Sequence, residues 1–129
     1  MADVLALVDD LFFQAKLAET ARHVGVTLQT VANGDALAEA VKAGAPRLVL
    51  VDLNARVGAI EAVERMCGGV ARGNGGDGAS EGSGAPVIAF LSHVQTALAA
   101  RARAAGCTQV LPRSEFTAQL GQILRQAKP

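Results

Sequence analysis

Residues 3–10 read DVLALVDD, a nearly continuous apolar run that ends in two aspartates. Apolar runs of this kind are typical of strands buried on both faces, as the strands of parallel sheets are. Similar short runs occur at residues 26–31, 48–51, 86–91 and 108–111. Because helix-length stretches with apolar residues at helical spacing lie between these runs, the sequence predicts strictly alternating strands and helices.

The alternation predicts five strands and five helices. The first helix, for example, has the apolar period Phe13, Leu17, Ala21 and Val24. Right-handed crossovers on both faces of the sheet give an α/β fold, a doubly wound, five-stranded parallel sheet in a flavodoxin-like (βα)5 sandwich with strand order 2-1-3-4-5. With 129 residues, of which 50% are hydrophobic, residues 1–129 are expected to form a single domain.

Composition argues against several function classes. Twelve Lys and Arg balance twelve Asp and Glu, so the basic excess that attracts nucleic acid or anionic membrane is missing. Four Phe and no Trp or Tyr leave little with which to stack bases. No apolar run reaches the roughly 20 residues that span a bilayer, and no signal peptide opens the chain. We expect a cytoplasmic protein without nucleic-acid or membrane partners, whose Cys67 and Cys107 are small buried hydrophobes.

Residues 68–84 read GGVARGNGGDGASEGSG and hold eight of the 14 glycines. Such a composition cannot bury enough apolar surface to offset its ordering entropy, so it predicts a flexible loop at about residues 68–85. A phosphate-binding loop is the alternative interpretation. It is disfavoured because phosphate-binding glycines follow a strand and open a helix, whereas here a strand follows the glycines.

Carboxylates follow two of the predicted strands. Asp9 and Asp10 end the first strand, and Asp52 ends the third, which is its neighbour in the predicted order. Three carboxylates at one edge of a sheet repel one another, and Mg²⁺ is the usual hard cation that relieves such repulsion. The alternative is that Asp9 and Asp10 only cap the first helix. A cap accounts for one aspartate but not for all three, so an acidic pocket is favoured.

This pattern resembles the receiver domain of bacterial two-component response regulators. The matching stretches are Val8-Asp9-Asp10, Asn33-Gly34, Leu50-Val51-Asp52 and Ala104-Ala105-Gly106-Cys107. The resemblance implies that Asp52 is a phosphoacceptor. It also implies that Asp10, Asp52 and the backbone carbonyl of Asn54 bind Mg²⁺ directly, while Asp9 assists through water.

The resemblance further implies a stand-alone signalling protein of a two-component phosphorelay. A histidine kinase or phosphotransfer protein, or a small acyl phosphate, would supply the phosphoryl group, and a downstream protein would be bound by docking. Any activity would be limited to self-phosphorylation and autodephosphorylation. We expect a monomer or weak dimer.

Several positions depart from the family pattern. Arg113 takes the place of the Lys that contacts the phosphoryl group, and a planar guanidinium binds differently from an ammonium. Leu91 falls where receivers have a hydroxyl residue, with Ser92 as the candidate hydroxyl one residue later. His93, near the predicted pocket mouth, either contacts a ligand or is a solvated or capping residue. The fifth strand lacks the aromatic switch residue.

These departures support an alternative, in which a degenerate receiver acts as a phosphorylation-independent interaction module. A small-molecule binder on the same fold is a third class, which no feature beyond the fold supports.

The glycine-rich composition predicts that this segment is dispensable for folding. Replacing residues 72–83 with a short Gly-Ser linker should leave the melting temperature within about a few degrees, because loop-closure entropy changes slowly with length. Differential scanning calorimetry of the two proteins tests this. Cooperative loss of the fold on replacement would identify the segment as an ordered element.

Overall fold

A five-stranded parallel sheet forms the centre of the computed structural model, which describes residues 3–44, 46–54, 59–64, 86–91 and 96–127. The strands are β1 (Val4–Leu7), β2 (Leu28–Val31), β3 (Leu48–Asp52), β4 (Val87–Leu91) and β5 (Gln109–Pro112). Their order is β2-β1-β3-β4-β5, and all neighbours are parallel. The predicted fold class and strand order are confirmed.

Helices follow each strand within the described ranges: α1 (Leu11–Val24), α2 (Gly34–Gly44), α3 (Ala59–Val63), α4 (Thr96–Ala105), α5 (Arg113–Ala118) and α6 (Leu120–Arg125). The last predicted helix is therefore divided in two, which corrects the expectation of five helices. At the division, the Gln119 N–H donates to both Glu115 O and Phe116 O, at 3.1 and 3.2 Å. Such a shared hydrogen bond is typical of a helix end, where the turn tightens.

The central strands β1, β3 and β4 are buried on both faces of the sheet, as their apolar runs predicted, whereas the edge strands β2 and β5 are partly exposed. One face packs against α2, α3 and α4 and includes Val49 and Val51 of β3. The other packs against α1, α5 and α6 and includes Leu48 and Leu50. Because successive side chains of a strand point to opposite faces, Asp52 follows Leu50 toward α1 and α5. The fold thus decides which helices can contact the aspartate.

The strand limits differ by one or two residues from the predicted ones. Val26 follows α1, but its N–H still donates to Ala21 O of that helix at 3.0 Å, so β2 begins at Leu28. Before β1, the Asp3 N–H donates to Thr27 Oγ1 at 2.8 Å, and the Thr27 N–H donates to Asp3 Oδ2 at 3.1 Å. A backbone hydrogen bond at the end of α1 and side-chain hydrogen bonds between Asp3 and Thr27 therefore set these limits.

The expectations for the glycine-rich segment and for the two cysteines can be compared with the structure only in part. The glycine-rich segment at 68–85 and Cys67 lie outside the described residues, while Cys107 is partly buried against the core rather than fully buried. None of the helices in the described ranges is both long and apolar enough to cross a membrane.

Two glycines give opposite predictions for the same substitution. Gly25 ends α1 with φ at 95°, so Gly25→Ala should lower the free energy of unfolding by about 1–2 kcal/mol. A Cβ at Gly121, within α6, would meet no atom within 4 Å. Gly121→Ala should raise the free energy of unfolding by about 0.5–1 kcal/mol. Urea denaturation measures both, and equal effects of the two substitutions would contradict the assignment.

Candidate functional site

Asp52 is the buried charge at the carboxyl end of the sheet. It is the last residue of the central strand β3 and is 2% exposed, and no other polar or charged residue in the described ranges is buried. Its Oδ1 accepts a hydrogen bond from the Asn54 N–H at 2.9 Å. Its Oδ2 accepts one from Arg113 Nη2 at 3.1 Å. Both oxygens of the carboxylate therefore have a donor from the protein itself.

Burial raises the pKa of the Asp52 carboxyl above its ordinary value, because desolvation disfavours the charged form. The Asn54 N–H and the positive charge of Arg113 oppose this shift, while the negative charges of Asp9 and Asp10 reinforce it. Since the pKa is raised in spite of both donors, desolvation together with the charges of Asp9 and Asp10 outweighs the stabilisation that the donors provide, and desolvation is the largest cause.

Arg113 occupies the place predicted for the phosphoryl-binding residue. It is the first residue of α5, directly after β5, and its side chain is 38% exposed. Besides the hydrogen bond to Asp52, its Nη1 lies 3.9 Å from Asp10 Oδ2. A cation therefore lies between two of the three predicted carboxylates, and it can reach an anion that enters from solvent.

The aromatic residues around Arg113 were not predicted as part of the site. The Arg113 guanidinium carbon lies 4.9 Å from the ring centroid of Phe13 and 5.6 Å from that of Phe90. Phe90 is the register partner of Asp52 in the neighbouring strand, which brings its ring to this edge. In the sequence, the position of Phe13 could have indicated an aromatic residue at the site, because it lies in the first turn of the helix that follows the two aspartates.

Asp10 is the N-cap of α1, as the alternative interpretation proposed. Its Oδ1 accepts hydrogen bonds from the N–H groups of Phe12 and Phe13, at 2.9 and 3.3 Å. Its Oδ2 faces Arg113, so one carboxylate both caps the helix and contributes to the acidic edge. Asp9 is exposed and affects Asp52 through its charge.

The described residues contain no group of three or more His, Cys, Asp or Glu side chains that could hold a metal ion. In this conformation, the cation that contacts Asp52 is the guanidinium of Arg113. Carboxylate and carbonyl oxygens are nevertheless the donors that Mg²⁺ prefers, so the donor chemistry of Asp10, Asp52 and Asn54 fits that ion. Magnesium binding stays a prediction.

The remaining predicted positions fall into two groups. Asn54 lies beside Asp52, where its backbone N–H is the group in contact. Ser92 and His93 lie outside the described residues. Leu91, the last residue of β4, is buried among the side chains on the α2–α4 face, opposite to Asp52.

An exposed apolar pair, Leu11 and Phe12, stands next to the site at the start of α1. The two side chains are 77% and 90% exposed, and they are the large hydrophobic residues left in solvent in the part of the chain described. The helical period through Phe13 and Leu17 already excluded both from the buried face, so this surface was detectable in the sequence.

No protein-family model matches the sequence, and no curated protein matches it. Similarity is found among solved structures instead. A response regulator receiver protein from Pseudoalteromonas atlantica superposes with a TM-score of 0.73 at 16% identity, over 96% of this chain and 94% of that one. The chain has the receiver fold.

Two other structures share the receiver fold with this chain. One is a response regulator protein from Burkholderia pseudomallei with a phosphorylated aspartic acid and a calcium ion, with a TM-score of 0.73 and 15% identity. That match covers 96% of this chain and 66% of that one. The other is a co-crystal structure of the Saccharomyces cerevisiae phosphotransfer protein Ypd1 with the receiver domain of Ssk1, with a TM-score of 0.74, 23% identity, and coverage of 93% and 84%.

The raised pKa of Asp52 predicts the pH dependence of stability. Between the ordinary value of an aspartate, about 3.9, and the raised pKa, the folded state binds more protons than the unfolded state. Stability therefore falls as the pH rises through this window, and the full cost persists above it. Asp52→Asn removes the cost, so its melting temperature should exceed that of the parent at neutral pH, and the difference should shrink in acid.

Asp3→Asn is the control, and it should lower the melting temperature at neutral pH instead of raising it. Hydrogen bonding from the Thr27 backbone lowers the pKa of Asp3, so its ionised form stabilises the fold at neutral pH and this stabilisation is lost in acid. Calorimetry from pH 3 to pH 7 should separate the two variants. A melting temperature of Asp52→Asn below that of the parent at neutral pH would contradict the desolvation argument.

Proposed function

We propose that the protein is a receiver-like signalling module of a two-component phosphorelay, which accepts a phosphoryl group on Asp52. The observation that carries this proposal is the buried Asp52 carboxylate at the end of the central strand of a receiver fold. A backbone N–H and a guanidinium donate to its two oxygens. These donors suit a site that receives an anion, because each can pair with phosphoryl oxygens as well as with the carboxylate.

In this proposal, a carboxylate oxygen of Asp52 attacks the phosphorus of a phosphohistidine or an acyl phosphate. The new oxygen–phosphorus bond forms as the bond to the histidine nitrogen or acyl oxygen breaks, and the leaving group keeps the electron pair. Arg113 would pair with the equatorial oxygens, on which negative charge accumulates. The protein would promote no reaction beyond its own phosphorylation and dephosphorylation.

Magnesium is proposed as the cofactor of this reaction. Asp10, Asp52 and the backbone carbonyl of Asn54 would hold it, and Asp9 would assist through water. When bound, Mg²⁺ would neutralise charge on the transferred group. Arg113 supplies part of that neutralisation from the protein itself.

Leu11 and Phe12 support docking to a partner protein beside the candidate site. An exposed apolar pair costs solubility and is typical of an interaction surface when it adjoins a functional site. We propose that a histidine kinase or phosphotransfer protein covers it during transfer and that a downstream protein reads the phosphorylated state. A cytoplasmic location and a monomer or weak dimer belong to the same proposal.

The degenerate receiver remains the second candidate, and a specific observation favours it. Arg113 is already paired with Asp52, so the carboxylate is neutralised by the protein without a phosphoryl group or a metal. A module of this kind would bind its partners without phosphorylation. It would use the same exposed pair beside the pocket.

Intact-mass measurement separates the two candidates. The full chain is incubated with Mg²⁺ and acetyl phosphate, and the proposal expects a mass increase of one phosphoryl group in the parent. Asp52→Asn should remain unlabelled, because it lacks the nucleophile. Asp35→Asn, which changes an exposed aspartate of α2, should be labelled like the parent.

A parent protein that stays unlabelled, while its NMR spectrum shows a folded domain, would exclude phosphoryl acceptance and leave the interaction module. Labelling of Asp52→Asn to the level of the parent would place the acceptor elsewhere.

A further inference from the structure

Three of the four phenylalanines form one cluster beneath the candidate site. The rings of Phe90 and Phe116 are stacked, with centroids 4.1 Å apart, and the Phe13 ring lies 5.2 Å from Phe90 at an angle of 52°. Two of these rings also face a cation, because the guanidinium of Arg113 lies over Phe13 and Phe90. The cluster therefore joins the two rings that contact Arg113 with Phe116, which packs against both of them.

The two rings that face Arg113 are fixed by the core. Phe13 belongs to α1 and Phe90 to β4, and both are buried. A cation over an aromatic face is attracted by the ring quadrupole, and a planar guanidinium packs on such a face better than an ammonium does. Because the rings come from two different elements, they restrict the guanidinium from two directions and favour its position on Asp52.

The position of Arg113 opposes the binding of a divalent cation to Asp10 and Asp52. Asp52 Oδ2 is engaged by Arg113, and Asp52 Oδ1 by the Asn54 N–H. On Asp10, Oδ1 is engaged by the first turn of α1, while Oδ2 faces the second guanidinium nitrogen. A divalent cation that binds the same carboxylates must approach a fixed positive charge within a few ångströms, where repulsion between like charges is strong.

We propose that Phe13 and Phe90 are positioning residues that hold the guanidinium of Arg113 on Asp52, so that Arg113 and a divalent cation compete for this carboxylate. The inference rests on the proposed function in one respect, since it takes Asp10 and Asp52 as the ligands of the cation. Arg113 is then an internal counter-ion of the site, and magnesium affinity is set partly by two aromatic side chains that cannot bind the metal.

Titration of the full chain with Mg²⁺, followed by calorimetry and amide chemical shifts, tests this competition. Arg113→Gln removes the positive charge and should bind Mg²⁺ at least about ten-fold more tightly than the parent. Phe13→Leu keeps an apolar side chain but removes the aromatic face. Because a cation–π contact is lost, its affinity should rise by about two- to five-fold.

Phe116→Leu is the matched control for the core. Phe116 belongs to the same cluster and stacks on Phe90, whereas the guanidinium lies over the rings of Phe13 and Phe90. Its substitution should loosen the core comparably and leave the magnesium affinity unchanged. Arg113→Lys adds a test that leaves the core intact: it keeps the charge but loses the planar face, so its affinity should lie between those of the parent and Arg113→Gln.

Three results would overturn the inference. An Arg113→Gln affinity no higher than that of the parent, including absence of binding in both, excludes competition. Equal affinities of Phe13→Leu and the parent, or equal increases in Phe13→Leu and Phe116→Leu, exclude positioning by the aromatic face. Should the core variants fail to fold, the order of the parent, Arg113→Lys and Arg113→Gln still decides whether the planar cation competes.

Failure of the proposed function would look different. If Asp52 is never labelled but the order of magnesium affinities is as expected, the competition between Arg113 and Mg²⁺ is supported and phosphoryl acceptance by Asp52 is excluded. If Asp52 is labelled while all variants bind Mg²⁺ equally, phosphoryl acceptance is supported and the competition is excluded.

Discussion

The buried charge of Asp52 is the constraint on which the rest of the site depends. A carboxylate in a nearly inaccessible position loses its hydration, and it is tolerated only where donors replace that water. Here the replacement comes from a backbone N–H two residues away and from a guanidinium 61 residues away in the chain. The second donor connects the residue after β5 with the last residue of β3. The contact that stabilises the charge of Asp52 therefore also holds the carboxyl ends of these two strands together.

Much of the fold was predictable because it follows from burial. A parallel sheet covered by helices on both sides requires uninterrupted apolar strands, and the run from residue 48 to 51 shows this directly. The position of Asp52 at the end of that run then places its carboxylate at the ligand-binding edge. Strand limits were less predictable. Local hydrogen bonds, such as those of Thr27 and of the end of α1, set them, and these are not visible in hydrophobic patterns.

The site was predictable only in outline. Arg113 could be located by counting along the chain, since it follows a strand at the correct edge. Its contacts with Phe13 and Phe90 could not be predicted in this way, because these contacts join three elements that are far apart in sequence. Asp10 shows a second limit. A helix cap and an acidic pocket are alternative interpretations of its place in the sequence, yet one oxygen of this carboxylate caps the helix and the other faces Arg113.

Pro112 ends the edge strand β5 immediately before Arg113, with φ at −61° and ψ at 148°. Just before β5, the Thr108 N–H donates to Val87 O of β4, and because peptide groups alternate in direction along a strand, the nitrogen of Pro112 faces β4 as well. A proline has no N–H to donate, so the hydrogen bonding of β5 to β4 ends at this residue. The same ring fixes φ near the value observed, so little backbone freedom is lost when the chain turns from strand to helix. One stiff residue therefore ends the pairing of β5 with β4 and begins the helix from which Arg113 reaches Asp52.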